Sequence, residues 1–226
     1  MSVLQHLAEL RQRLIISGIA AAVTVCVAAA FLTWPIIGLL SSPAGVKLAA
    51  LRPAETFVTY MKVSLVAGIG LAMPVIVWQG LLYLLPALHR SERRWIYIGV
   101  PSITLAFAIG LAFGFFFVIP FAVRFLIGFG GDFVEPVWSV EAYLSFVSSL
   151  IFWIGASFET PIILFFLAKT GVVNARQLGR MRRHALLGAF LLGAMITPTP
   201  DPVNQTIVSV PIYLLYELGV FLARFA

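Results

Sequence analysis

Charge is scarce in this sequence. Only 11% of the 226 residues are charged, nine of them acids and fifteen Lys or Arg, against 61% that are hydrophobic. A soluble domain carries about 25% charged residues, so too few polar side chains remain here to clothe a core in water. Mean hydropathy is +1.03, and most of the chain must therefore meet lipid. Cysteine is nearly absent: Cys26 stands alone, which excludes an internal disulfide or a thiolate metal cage. Histidine is rare too. His6, His89 and His184 fall in segments between the apolar runs or at a run's end, so Ser157, in an otherwise suggestive Gly-Ala-Ser-Phe, has no buried base to activate it. No HExxH, no phosphate-cradling GxxxxGK[ST] and no metal-ligand cluster occurs. The chain reads as neither an enzyme nor a cofactor protein.

The net charge of +6 would suggest nucleic acid in a soluble protein. No basic face interleaved with stacking aromatics is present, however, and the cations cluster between apolar runs in the manner of cytoplasmic loops. No nucleic-acid partner is expected.

The apolar runs predict an all-α polytopic membrane protein, a single membrane domain over 1–226. An amphipathic segment covers 1–13, and six transmembrane helices lie at about 14–37, 63–85, 95–120, 142–168, 185–197 and 204–223. The first run is too long for a signal-peptide core and no small-residue cleavage site follows it, so it is expected to stay as a helix. The fifth helix is short; the membrane thins there, or the last pair crosses only part of it. Prolines 74, 101, 120 and 161 fall inside or at the ends of helices, where each removes a backbone bond and permits a kink.

Orientation follows from the cations. Arg11 and Arg13, then Arg90, Arg93 and Arg94, then Lys169, Arg176, Arg180, Arg182 and Arg183, and finally Arg224 alternate with connections that collect Glu55, Asp132, Glu135, Glu141 and Asp201. Both termini are expected in the cytoplasm, which is self-consistent with six crossings.

Few polar residues remain as candidates for function. Glu9 either pairs with Arg13 at i,i+4 on an interfacial helix or offers a carboxylate to a cationic ligand; spacing alone favours the pair. Glu92, the sole acid beside Arg90, Arg93 and Arg94, either complements the start of the third helix or receives a guanidinium. Glu159 lies within the fourth helix, where a charge costs roughly 2.5–3.5 kcal/mol on insertion scales, so it is expected to face a cavity or a partner. Gln205 serves either a partner helix or internal packing, and Glu217 reads as an interfacial or packing residue.

Several short motifs run in order along nearly the whole chain. They are His6-Leu-x-Glu9-Leu-Arg11-x-Arg13-Leu14, Thr59-Tyr60-Met61-Lys62-Val63-Ser64, Pro86-Ala87-Leu88 with Glu92-Arg93-Arg94, and Tyr143-Leu144-Ser145-Phe146. Ser157-Phe158-Glu159-x-Pro161, Thr197-Pro198 to Asp201, Gln205-Thr206 and Tyr216-Glu217-Leu218-Gly219-Val220-Phe221 follow. Each motif is weak alone, but in this order the chain resembles the TatC family, the multispanning receptors of twin-arginine protein export. The resemblance implies kinked helices around a concave, glove-like cavity in the bacterial inner membrane. It places Glu9 and Glu92 where the family holds the paired arginines of a signal peptide, with Arg11, Arg93 and Arg94 shaping the same site. Glu159 matches the family's carboxylate within the cavity, and Gln205 a position in contact with the single-span partners TatA and TatB. It further implies a homo-oligomer within a larger complex that moves folded cargo on the proton motive force. A small proton-coupled secondary transporter, with Glu159 as its ion site, is the other reading.

Overall fold

Uninterrupted apolar sequence becomes helix because lipid offers the backbone no other hydrogen-bonding partner. A computed structural model describes residues 3–84, 94–129, 137–197 and 201–226. In chain order the helices are α1 (Val3–Val27), α2 (Thr33–Ser41), α3 (Glu55–Leu84), α4 (Arg94–Phe113), α5 (Ile119–Gly128), α6 (Val140–Lys169), α7 (Ala175–Arg180), α8 (Arg182–Ile196) and α9 (Pro202–Leu222). Two two-residue strands, β1 (Leu48–Ala49) and β2 (Trp138–Ser139), pair in parallel, Leu48 opposite Trp138 and Ala49 opposite Ser139. Gly45 and Gly171, the two described residues with positive φ, follow the helical segments that end at Ala44 and Lys169, where the left-handed conformation turns the chain away.

Among the described residues, five stretches are long and apolar enough to cross a membrane: Leu7–Ala44, Glu55–Tyr83, Gly99–Gly128, Val140–Lys169 and Pro202–Leu222. α8 has 15 residues, a rise of about 22 Å against a hydrocarbon layer of about 30 Å. Several ends run beyond the expected limits. α1 is helical from Val3, and α3 starts at Glu55 rather than at 63; their polar ends contain no proline or glycine to stop the helix.

The first and third spanning stretches are each broken once by a π turn, at Ala28–Leu32 and Gly114–Val118. Pro35 and Pro120 follow within three residues. A proline ring has no N–H and crowds the carbonyl four residues back, and a wider turn just upstream moves that carbonyl aside. The backbone loosened in the first π turn is engaged from α3: the Tyr60 hydroxyl donates to the Ala29 carbonyl, and Thr33 and Ser64 share a hydroxyl pair at 2.7 Å.

α6 is the central helix, packed against α3, α4 and α9, while α1 lies on α3 and α8 on α9. Leu144, Val147, Leu150 and Ile154 of α6 meet Ile119, Ala122 and Val123 of α5 and Val208 of α9 in the main buried cluster. Several serine hydroxyls return to their own helix; Ser64, Ser148, Ser157 and Ser209 each donate to the carbonyl four residues back.

Close helix crossings depend on glycine, as expected where small residues let backbones approach. A Cβ on Gly68 of α3 would stand 2.3 Å from Cα of Val25 in α1. Gly68→Ala is therefore expected to lower stability by about 1–3 kcal/mol through overpacking. Gly18→Ala, whose added carbon has nothing within 4 Å, should be neutral or stabilising by up to about 1 kcal/mol through helix propensity. Thermal unfolding of the two variants in detergent separates the cases. Equal melting temperatures would show that α1 and α3 do not approach this closely.

Candidate functional site

Two groups of polar side chains stand at opposite ends of α3. At one end, Glu9 and Arg13 occupy one face of α1, a turn apart. Arg13 Nη2 lies 3.3 Å from Glu9 Oε1, and its Nη1 donates to Oε1 of Gln79 on α3 at 3.0 Å. Gln79 is buried and Glu9 half-buried. The pair read from spacing is thus present, and Arg13 also fastens α1 to α3. Arg11 points into the open. Glu92 and Arg93 lie outside the described residues; Arg94 opens α4, but its side chain is outside them too.

Glu159 is 1% exposed within the second half of α6, and among the described residues none donates to its Oε1. Gln205 donates from Nε2 to the Phe190 carbonyl at 3.0 Å, joining α9 to α8. Glu217 accepts from the Tyr213 hydroxyl at 2.8 Å and pairs with Arg182 at 2.8 Å, so its partner comes from the start of α8 and not from nearby Arg224.

A constellation absent from the candidates above stands at the opposite end. Glu55, assigned from sequence to the loop acids, is the first residue of α3 and 2% exposed. Its Oε2 accepts from the N–H groups of Leu51 at 2.7 Å and Arg52 at 3.0 Å. Its Oε1 accepts from the Ser139 hydroxyl and from the Glu141 N–H at 2.9 Å. All four contacts are donated to the carboxylate, the pattern suited to an ionised group. Ser139 meanwhile caps α6 by accepting from the Ala142 N–H at 3.2 Å. Lys62 pairs with Glu141 at 2.7 Å beside it, and the group borders a cavity of about 550 Å³ floored by Phe146 and Ile196. One carboxylate therefore pins the segment before α3 to the start of α6. The only local signal was an acid at a helix's first turn; the partners from α6 lie 84 and 86 residues away. No cluster of three or more potential metal ligands occurs among the described residues.

Long apolar helices, hydroxyls folded back on their own carbonyls and polar clamps at the helix ends define a multi-pass α-helical membrane protein. The family model described as TatC, Sec-independent protein translocase protein, matches residues 5–211. The Sec-independent protein translocase protein TatC of Carboxydothermus hydrogenoformans is 35% identical over 100% of this chain and 93% of its own length. That of Desulforapulum autotrophicum is 36% identical over 97% of this chain and 83% of its own. A crystal structure of a twin-arginine translocase receptor, TatC, superposes with a TM-score of 0.88 at 36% identity, covering 97% of this chain and 98% of that one. The chain belongs to the TatC family. It is a component of the twin-arginine, Sec-independent protein translocase and not an enzyme.

Proposed function

We propose that this protein is the receptor subunit of the translocase, binding the paired arginines of a signal peptide with the carboxylates of Glu9 and Glu92. Arg11, Arg93 and Arg94 set the local charge around that site. The chain crosses the bacterial inner membrane six times, α8 included, with both termini in the cytoplasm. It forms homo-oligomers and works with TatA- and TatB-type single-span partners, met at Gln205 on the α8–α9 pair, to export folded cargo on the proton motive force.

The observation that carries this reading is the Glu9–Arg13–Gln79 arrangement. Among the described residues Glu9 is held by one long contact, and Arg13 has a second acceptor in Gln79. An incoming guanidinium can take over the carboxylate while Arg13 stays fastened to α3. Gln79 lies near the end of α3, and α3 and α4 bracket the connection that carries Glu92, which supports a shared patch for the two acids. A planar guanidinium binds a carboxylate through two parallel hydrogen bonds, which an ammonium cannot reproduce.

The test is binding of a synthetic twin-arginine signal peptide to the purified protein in detergent. A charge-assisted hydrogen bond contributes about 1.5–3 kcal/mol, so Glu9→Ala and Glu92→Ala should each weaken binding about ten- to hundredfold. A Lys-Lys peptide should fall in the same range. Variants that bind like the wild type would leave the receptor role but remove this site. A folded wild type that binds no signal peptide would favour a proton-coupled transporter.

A further inference from the structure

The stretch from Lys169 to His184 contains Lys169, Arg176, Arg180, Arg182 and Arg183 and no acid. Such clusters beside a membrane helix ordinarily report orientation, but here the chain is built to hold part of the cluster still. α7 is only six residues long, too short to persist alone. It is secured by a reciprocal capping box between Asn174 and Gln177, by the Tyr216 hydroxyl donating to the Leu178 carbonyl at 2.7 Å, and by Leu178, 4% exposed, packing on Val220 and Ala223. Two residues to either side of Leu178 the helix has turned to its far face. Arg176 and Arg180 stand there, both exposed, four residues apart. Like charges at that spacing repel and destabilise an isolated helix, yet this helix is capped and anchored in a way that fixes them side by side.

The facing groups leave the patch strongly positive. α7 packs on α8 and α9. Glu217 of α9 is engaged with Arg182 and Tyr213, which leaves Arg176, Arg180 and Arg183 without a described acidic partner. The surroundings are apolar: Val172, Met181, Leu186 and Leu187 are between 43% and 60% exposed. α6, which ends at Lys169, is one of the spanning helices. Cations set among exposed apolar side chains, a few residues from a membrane span, match the boundary where a lipid phosphate meets its acyl chains. An acidic protein segment would match the charge but not the apolar flanks.

We propose that α7 and the start of α8 form a binding site for an anionic phospholipid headgroup, with Arg176, Arg180 and Arg183 as its cations. The proposal uses none of the residues assigned to signal-peptide binding and does not rest on that reading.

The test uses the full chain in an uncharged detergent. Native mass spectrometry compares phosphatidylglycerol with phosphatidylcholine of the same acyl chains. Wild type is expected to prefer the anionic lipid about tenfold or more. Replacement of Arg176, Arg180 and Arg183 together by Gln should reduce that preference to about twofold or less, while Arg124→Gln on α5 leaves it intact. Should the triple variant not fold, Arg176→Gln and Arg180→Gln singly must each reduce the preference. A wild type without preference, or a folded triple variant that retains it, overturns the proposal. So does a glutamate-rich peptide that binds this surface when phosphatidylglycerol does not, or displacement of the lipid by millimolar inorganic phosphate.

Discussion

Glu55→Ala is expected to cost about 3 kcal/mol or more of unfolding free energy, a large effect for a single side chain outside the apolar core. The substitution strands three partly buried backbone N–H groups, those of Leu51, Arg52 and Glu141, where a fully buried donor left unmade would cost about 1–3 kcal/mol each. The adjoining cavity lets water repair part of the loss, which holds the sum near the lower end. The Ser139 hydroxyl loses its acceptor as well, though it keeps its capping bond to Ala142. Glu55→Gln preserves volume but replaces one accepting oxygen with a donating nitrogen, facing two donors with a third; it should recover no more than about half of the stability. Lys62→Met tests whether charge or hydrogen bonding matters in this cluster. The Lys62–Glu141 pair is partly open to solvent, and such pairs contribute about 0–1 kcal/mol. Unfolding of the three variants in detergent should rank Ala worst, Gln next and Lys62→Met close to wild type. If Lys62→Met proves as damaging as Glu55→Ala, the ion pair rather than the accepting carboxylate joins the two segments.

That cluster also marks where sequence reading stops. An apolar run announces a membrane helix because lipid leaves its backbone no alternative, and the long helices follow from composition alone. Where each helix begins was less plain. Glu55 and Lys62 look like loop charges until tertiary contacts draw them into α3. Pro120 announces a disturbed ladder, but not that the chain answers with a π turn just upstream, as it also does before Pro35, nor that α3 supplies a hydroxyl to the first of these turns. Among the polar candidates, the i,i+4 bond from Glu9 to Arg13 could be read from spacing, whereas the second bond from Arg13 to Gln79 spans 66 positions. Glu217 reads from sequence as an interfacial or packing residue; that its partner is Arg182 depends on how α8 meets α9. Local physics can be read off a sequence one turn at a time, and pairings across the bundle cannot.

Glu159→Leu is expected to make the protein more stable and to abolish export. The carboxyl is 1% exposed and no described residue donates to its Oε1. Its neighbours along α6 are committed to packing. One turn back, Gly155 presses against Phe107 and Leu111 of α4; Phe158 lies on Phe113 with ring centres 5.5 Å apart; two residues on, Pro161 backs onto Gly219 of α9. A polar group kept without a partner in such surroundings costs about 1–3 kcal/mol, so an apolar side chain of similar size should raise stability by that amount. A membrane protein that retains so costly a residue retains it for use. Glu159→Gln then separates two uses: it keeps the hydrogen-bonding capacity and removes the ionisable proton. Export by the Gln variant would mean that the side chain acts as a hydrogen-bonding group; its loss in both variants would mean that the carboxyl itself is required. Unfolding in detergent and export of a twin-arginine reporter in cells are read on the same variants. A Leu variant less stable than wild type would show that the carboxyl has a structural partner after all. A Leu variant that exports normally would show that its burial serves no function in transport.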